Sequence, residues 1–232
     1  DVVYEQAGAD EVVTLNYNSA DLDDYASLEL DRNSASQDSD IHLTITDNQL
    51  NIDPTGKDVV IFYVGLSGSE GVAFQNRTVT TPSVTAYTAF DNTFDDNGKL
   101  IIDNQTQGST NILTMKATAD DGTADNLIVF YETAENSGVF VNTDDSDNSN
   151  IQVKTDAKRG FTATFDYNDS AQSFVVANDF GVINMDETSV GDVWNSGEAL
   201  TVTLIDQDLN KNTASDEDLS IQNTTNTHII PT

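Results

Sequence analysis

Hydrophobic and polar residues alternate with a period of two along most of this chain. That spacing puts successive side chains on opposite faces of a β-strand. Val13, Leu15 and Tyr17 share one face of "VVTLNY". Ile41, Leu43 and Ile45 share the inner face of "IHLTIT" (41–46), with His42, Thr44 and Thr46 outward. Phe161, Ala163, Phe165 and Tyr167 alternate in "FTATFDY", and Leu200, Val202 and Leu204 in "ALTVTL". Two runs, "VVIFYV" (59–64) and "LIVFY" (127–131), are apolar at every position, as expected of central strands covered on both faces. Further short strands are expected near 26–30, 84–90, 100–102, 111–117, 138–141, 151–153, 173–177 and 219–222.

Between the strands lie clusters of Asp, Asn, Ser and Gly: "DDNG" at 95–98, "DDGTAD" at 120–125, "ENSG" at 135–138 and "DDSDNSN" at 144–150. These residues tolerate left-handed backbone and bond to nearby main chain, so they mark turns. No segment has the period of an amphipathic helix. Short strands separated by regular turn signals predict an all-β chain of β-sandwich domains.

One pattern occurs twice. "IHLTITDNQLNIDPTGKD" (41–58) aligns with "LTVTLIDQDLNKNTASDED" (200–218). In each, an alternating strand ends in Asp and runs on through Leu-Asn. The repeat predicts tandem domains of one design, with a division at 1–36, 37–178 and 179–232. Strand parity turns Asp47 and Asp206 toward the mouth of a sandwich, where a carboxylate needs donors or a cation. Leu50 and Leu209, three residues on, are expected to plug the core.

The acids and amides after each strand lie at alternate positions, a spacing from which oxygens can converge on calcium. The candidate ligands are Asp206, Asp208, Asn210, Asn212 and Glu217 in the second copy, and Asp47, Asn51, Asp53 and Asp58 in the first. The helical calcium-loop version is excluded by the flanking strands. Its sixth loop position is also Ile52 in one copy and Lys211 in the other, not Gly. The competing structural account is an Asx-rich strand exit whose carboxylates accept backbone N–H groups. "DDSDNSN" and "DDGTAD" are further cation-loop candidates, more often solvated turns.

The 232 residues carry 40 Asp plus Glu against 9 Lys plus Arg, a net charge of −31. Such a balance argues against nucleic acid and anionic membrane surfaces as partners, and for bound cations. No cysteine is present, so no disulfide framework reports the compartment. The first residues, "DVVYEQ", read as a processed chain or an excerpt of a longer one. Asn76, Asn104, Asn168 and Asn223 begin N-glycosylation sequons,. His42 and His228 belong to no metal or triad pattern, and no nucleophile elbow or phosphate loop occurs, so an enzyme is not expected. Trp194 is expected to anchor a core or loop, and Lys154, Lys158 and Arg159 to form a solvated strand end.

Residues 28–58, "FYETAENSGVF" (130–140) and "VWNSGEALTVTLIDQDLNKN" (193–212) resemble segments of the large surface-layer (S-layer) proteins of ammonia-oxidising archaea. Gln49 departs from the second copy's Asp208. The resemblance implies tandem immunoglobulin-like sandwiches, with 1–36 as N-terminal strands, a linker or the end of a preceding domain. Residues 37–178 are then one domain, and 179–232 the opening of an incomplete further one. It also implies secretion, N-glycosylation and self-assembly into an extracellular cell-surface lattice of identical subunits. The resemblance further implies that calcium or other divalent cations take part in assembly, and that ammonium is concentrated by an acidic lattice. The alternatives are a calcium-dependent adhesion or glycan-binding module, which needs exposed aromatics or an open metal, and a two-carboxylate secreted hydrolase.

Overall fold

The computed structural model describes residues 2–4, 8, 11–14, 25–63, 71–75, 87–89, 100–104, 106–107, 110–115, 127–168, 170–189, 191 and 193–219. Among these residues the chain is all-β, without an α-helix. Its strands are β1 (Val2–Tyr4), β2 (Glu11–Val13), β3 (Ser27–Leu30), β4 (Ser34–Ala35), β5 (Leu43–Thr46), β6 (Val59–Tyr63), β7 (Gly71–Gln75), β8 (Tyr87–Ala89), β9 (Leu100–Asn104) and β10 (Thr106–Gln107). They continue with β11 (Thr110–Asn111), β12 (Leu113–Met115), β13 (Leu127–Glu132), β14 (Val139–Val141), β15 (Ile151–Val153), β16 (Thr162–Tyr167), β17 (Gln172–Val176), β18 (Val182–Met185) and β19 (Val202–Ile205). No described helix is long and apolar enough to cross a membrane.

A seven-stranded sheet has the order β3-β5-β14-β13-β6-β7-β8, and a four-stranded sheet the order β4-β17-β16-β9. Their apolar faces meet in one core, in a sandwich-like arrangement. The alternation of the sequence is the alternation of burial. Ile41, Leu43 and Ile45 are fully buried, as are Phe165 and Tyr167 on β16. The two wholly apolar runs are the central strands β6 and β13. Val60, Phe62, Ile128 and Phe130 join the core, while Ile61 and Val129 between them are buried outside it. Phe62 meets Phe130 edge-to-face at 5.4 Å and reaches Tyr167 of the opposing sheet at 5.9 Å, a geometry favoured by the ring quadrupoles.

The core draws in Leu28 and Ala35. β4 also pairs with β17 in parallel, Val175 opposite Ser34 and Val176 opposite Ala35. The sandwich therefore starts before position 37. Strands β1, β4, β7, β10, β11 and β18 were not expected from the pattern, and three of them, β4, β10 and β11, are only two residues long. The turns expected at 95–98 and 120–125 lie outside the described residues.

The repeat is visible in the backbone. β3 pairs with β5 in the register Ser27–Thr46 to Leu30–Leu43, and β18 pairs with β19 from Val182–Ile205 to Met185–Val202. The second hairpin reproduces the first, but not its burial. Val202 and Leu204 are 50% and 40% exposed, whereas their counterparts Leu43 and Ile45 are 0% exposed. The inward facing expected of Val202 and Leu204 is therefore not met among the described residues, because no opposing sheet covers this hairpin there. Leu50 plugs the core at 0% exposure; Leu209 is only half-buried.

Candidate functional site

Each repeated strand exit folds into one turn of 3-10 helix. Asp47 caps Asn48–Leu50 at φ −158°, ψ 111°, and Asp206 caps Gln207–Leu209 at φ −152°, ψ 111°. Each cap accepts the N–H two residues on through Oδ1: from Gln49 at 2.8 Å and from Asp208 at 3.0 Å. Extended backbone at the cap and a short acidic side chain are what such a turn needs to satisfy its first N–H groups.

The carboxylate eleven residues later closes the loop. Asp58 Oδ2 accepts from Ile52 N at 2.7 Å and Asp53 N at 2.9 Å. Glu217 Oε1 accepts from Lys211 N at 2.5 Å and Asn212 N at 2.6 Å. Within each loop a further Asx turn forms: Asp53 Oδ1 takes Thr55 N, and Asn212 Oδ1 takes Ala214 N, both at 2.9 Å. The spacing that suggests calcium ligands is thus the spacing of N–H acceptors. Among the described residues no group of three or more His, Cys, Asp or Glu is gathered to hold a metal. Asn51 Nδ2 donates to Asn136 Oδ1. Asp208 accepts from Asp179 N with both oxygens, and Asn210 contributes its backbone carbonyl to the contact described below.

The first loop is held from inside. Asp47, 3% exposed, accepts the Tyr167 hydroxyl at 2.5 Å and donates its own N–H to Gly138 O at 2.8 Å. Glu132, 2% exposed, is the anchor of the "ETAENSG" hairpin. Its Oε1 accepts from Ser137 N at 2.9 Å and Gly138 N at 3.0 Å, and its Oε2 from Asp58 N at 3.0 Å. These bonds compensate the desolvation of a buried carboxylate. Gly138 has φ 61°, and a Cβ there would run into the Asn48 side chain, so only glycine lets the hairpin lie this close to the 3-10 turn. Glu132 was not among the residues expected to matter. Its signal in the sequence is an acid at the end of an apolar strand, followed by a glycine turn.

The second loop is held from outside, by the corner of the sandwich. Arg32 Nη1 donates to Asn210 O at 2.8 Å, and Nη2 to Asp40 O at 2.9 Å and Lys211 O at 3.0 Å. Asp40 N donates to Lys211 O at 2.7 Å. The Lys211 ammonium donates to Ser36 Oγ and to Gln37 O at 2.9 Å. His42 bridges Thr143 Oγ1 and Asn212 Oδ1, both at 2.9 Å. Because Asn212 Oδ1 is an acceptor, His42 Nε2 carries the proton. Asn212 Nδ2 in turn donates to Asp147 O. Burial holds the Lys211 ammonium below the usual lysine range, opposed by Asp208 and Asp38. Burial likewise raises Asp40, against the pull of Ser149 N, His42, Gln152 and Arg32.

Elsewhere, "DDSDNSN" is a turn in which Asp144 Oδ1 accepts from Ser146 N and Asn148 N, with Asp147 at φ 61°. Trp194 donates to Glu198 O and remains exposed, so it anchors a loop. Arg159 reaches Asn178 O at 3.4 Å at an exposed strand end. Asn168 occupies the turn after β16 at φ 47° and is half-buried; Asn104 lies on β9. Asn76, Asn223 and His228 lie outside the described residues. No protein-family model matches the chain, and no curated protein matches it.

Proposed function

We propose that the chain is a structural segment of an extracellular S-layer, built from tandem immunoglobulin-like sandwiches, and not an enzyme. One observation carries the reading: the same strand-exit loop is built twice with the same torsions and the same closing bonds, and the second copy is seated on the sandwich that holds the first. A row of such units transmits orientation from one sandwich to the next, as a lattice subunit needs. A net charge of −31 supports divalent cations as bridges between acidic faces of neighbouring subunits. It also supports enrichment of small cations such as ammonium near the sheet, because fixed charge raises local counter-ion concentration.

Calcium titration followed by light scattering and electron microscopy tests this reading. Ordered two-dimensional assembly that appears with calcium and dissolves with chelator is the expected result. A chain that stays monomeric over the whole calcium range, with no change in melting, overturns the lattice role and the cation requirement together.

A further inference from the structure

The corner that seats the second loop reads most of it without regard to sequence. Arg32 and the Asp40 N–H hold backbone carbonyls of Asn210 and Lys211, which any residue supplies. Among the described residues, three side chains of the loop make contacts across the joint that the other loop cannot imitate. Lys211 donates to Ser36 Oγ and Gln37 O, Asn212 donates to Asp147 O, and Thr213 Oγ1 donates to Asp31 Oδ2 at 2.7 Å. In the first loop, the equivalent positions hold Ile52, Asp53 and Pro54. Isoleucine and proline have no side-chain donor, and a carboxylate facing a carbonyl has none either. Ile52 is 56% exposed.

We propose that the corner formed by Arg32–Asp40 is a docking surface for strand-exit loops carrying Lys-Asn after the Leu-Asn turn, and that Lys211 selects which loop seats there. The occupant is a segment of this same chain, residues 208–213. The two loops share a fold and differ in address. A loop of the Ile52–Asp53 kind is excluded from this corner, because it would leave Ser36 Oγ and Gln37 O without the ammonium and place Asp53 against Asp147. Ser36, 3% exposed, makes the seat selective, since its hydroxyl accepts from Lys211 and also donates to Asp208 O at 3.1 Å. In a chain with 9 basic residues among 232, two of them meet at this joint.

The test writes the first loop's residues into the second: the full chain with Lys211→Ile, and with Lys211→Ile and Asn212→Asp together. Residue-resolved hydrogen exchange reads two sets of amides. The Asp40 amide, bonded to Lys211 O, reports seating. The amides of positions 211 and 212, bonded to Glu217, report the integrity of the loop itself. Expected is an Asp40 amide exchanging at least about tenfold faster in the double variant, with protection kept at 211 and 212. Ser36→Ala should give an intermediate change. Unchanged protection at Asp40, or its loss together with that of 211 and 212, overturns the proposal. The readout is local to a monomer, so it fails or holds independently of lattice assembly.

Discussion

The buried Glu132 carboxylate offers a sharp quantitative test, because two large effects of opposite sign meet there. Replacing it by glutamine keeps the shape and removes the charge. The amide oxygen can keep Ser137 and Gly138 N–H, but the amide nitrogen then faces the Asp58 N–H, donor against donor. One charge-assisted bond is lost, about 1.5–3 kcal/mol, and the other two weaken to neutral strength, together about 1–2 kcal/mol. Neutralisation removes part of the burial penalty of the carboxylate, which works the other way. The net expectation is a loss of about 2 kcal/mol. Glu132→Ala orphans all three N–H groups and is expected to cost about 4–5 kcal/mol, a large share of the 5–15 kcal/mol typical of a domain. Urea unfolding followed by tryptophan-independent circular dichroism measures both. With a slope of about 2 kcal/mol/M, the glutamine variant should unfold about 1 M earlier. A glutamine variant as stable as the parent would refute the argument, because it would mean that the burial penalty outweighs the bonds.

Two further changes probe the repeat and the joint. Leu50→Ala should destabilise the sandwich by about 2–5 kcal/mol, because the leucine is fully buried,; Leu209→Ala should cost under about 1 kcal/mol, and equal losses by thermal melting would show that Leu209 also fills a core. Asp40→Asn should raise stability at neutral pH. Burial lifts the carboxyl of Asp40 above 3.8, so its contribution is present below that pH and lost as pH rises through the raised value; the gain over the parent should vanish in melts below pH 3.8, and a pH-independent difference would sink the assignment.

Strand parity was the most legible part of the fold, because burial on one face imposes a period of two that no other element shares. It placed Ile41, Leu43, Ile45, Phe165 and Tyr167 correctly. It misjudged Val202 and Leu204, since alternation records which face can be buried, not whether a second sheet covers it. The duplicated loop was legible as a motif and ambiguous as chemistry. Carboxylates at alternate positions serve a cation or a set of backbone N–H groups equally well, and the choice depends on where the main chain turns. The role of Arg32 was hidden because, apart from the neighbouring Asp31, its partners are backbone carbonyls, which leave no mark in the sequence; Glu132 left a local signal, but the N–H groups it accepts did not.

The joint between the sandwich and the second loop is made of hydrogen bonds, from Arg32, Asp40, Lys211, His42 and Asn212, while the adjoining hairpin keeps Val202 and Leu204 in water. Opening such a joint exposes little apolar surface, so its heat-capacity change is small. Its free energy should then vary almost linearly with temperature, without the dome that governs the core of the sandwich. The two halves of one chain would answer cooling differently: the core weakens as hydrophobic burial fades, and the joint does not.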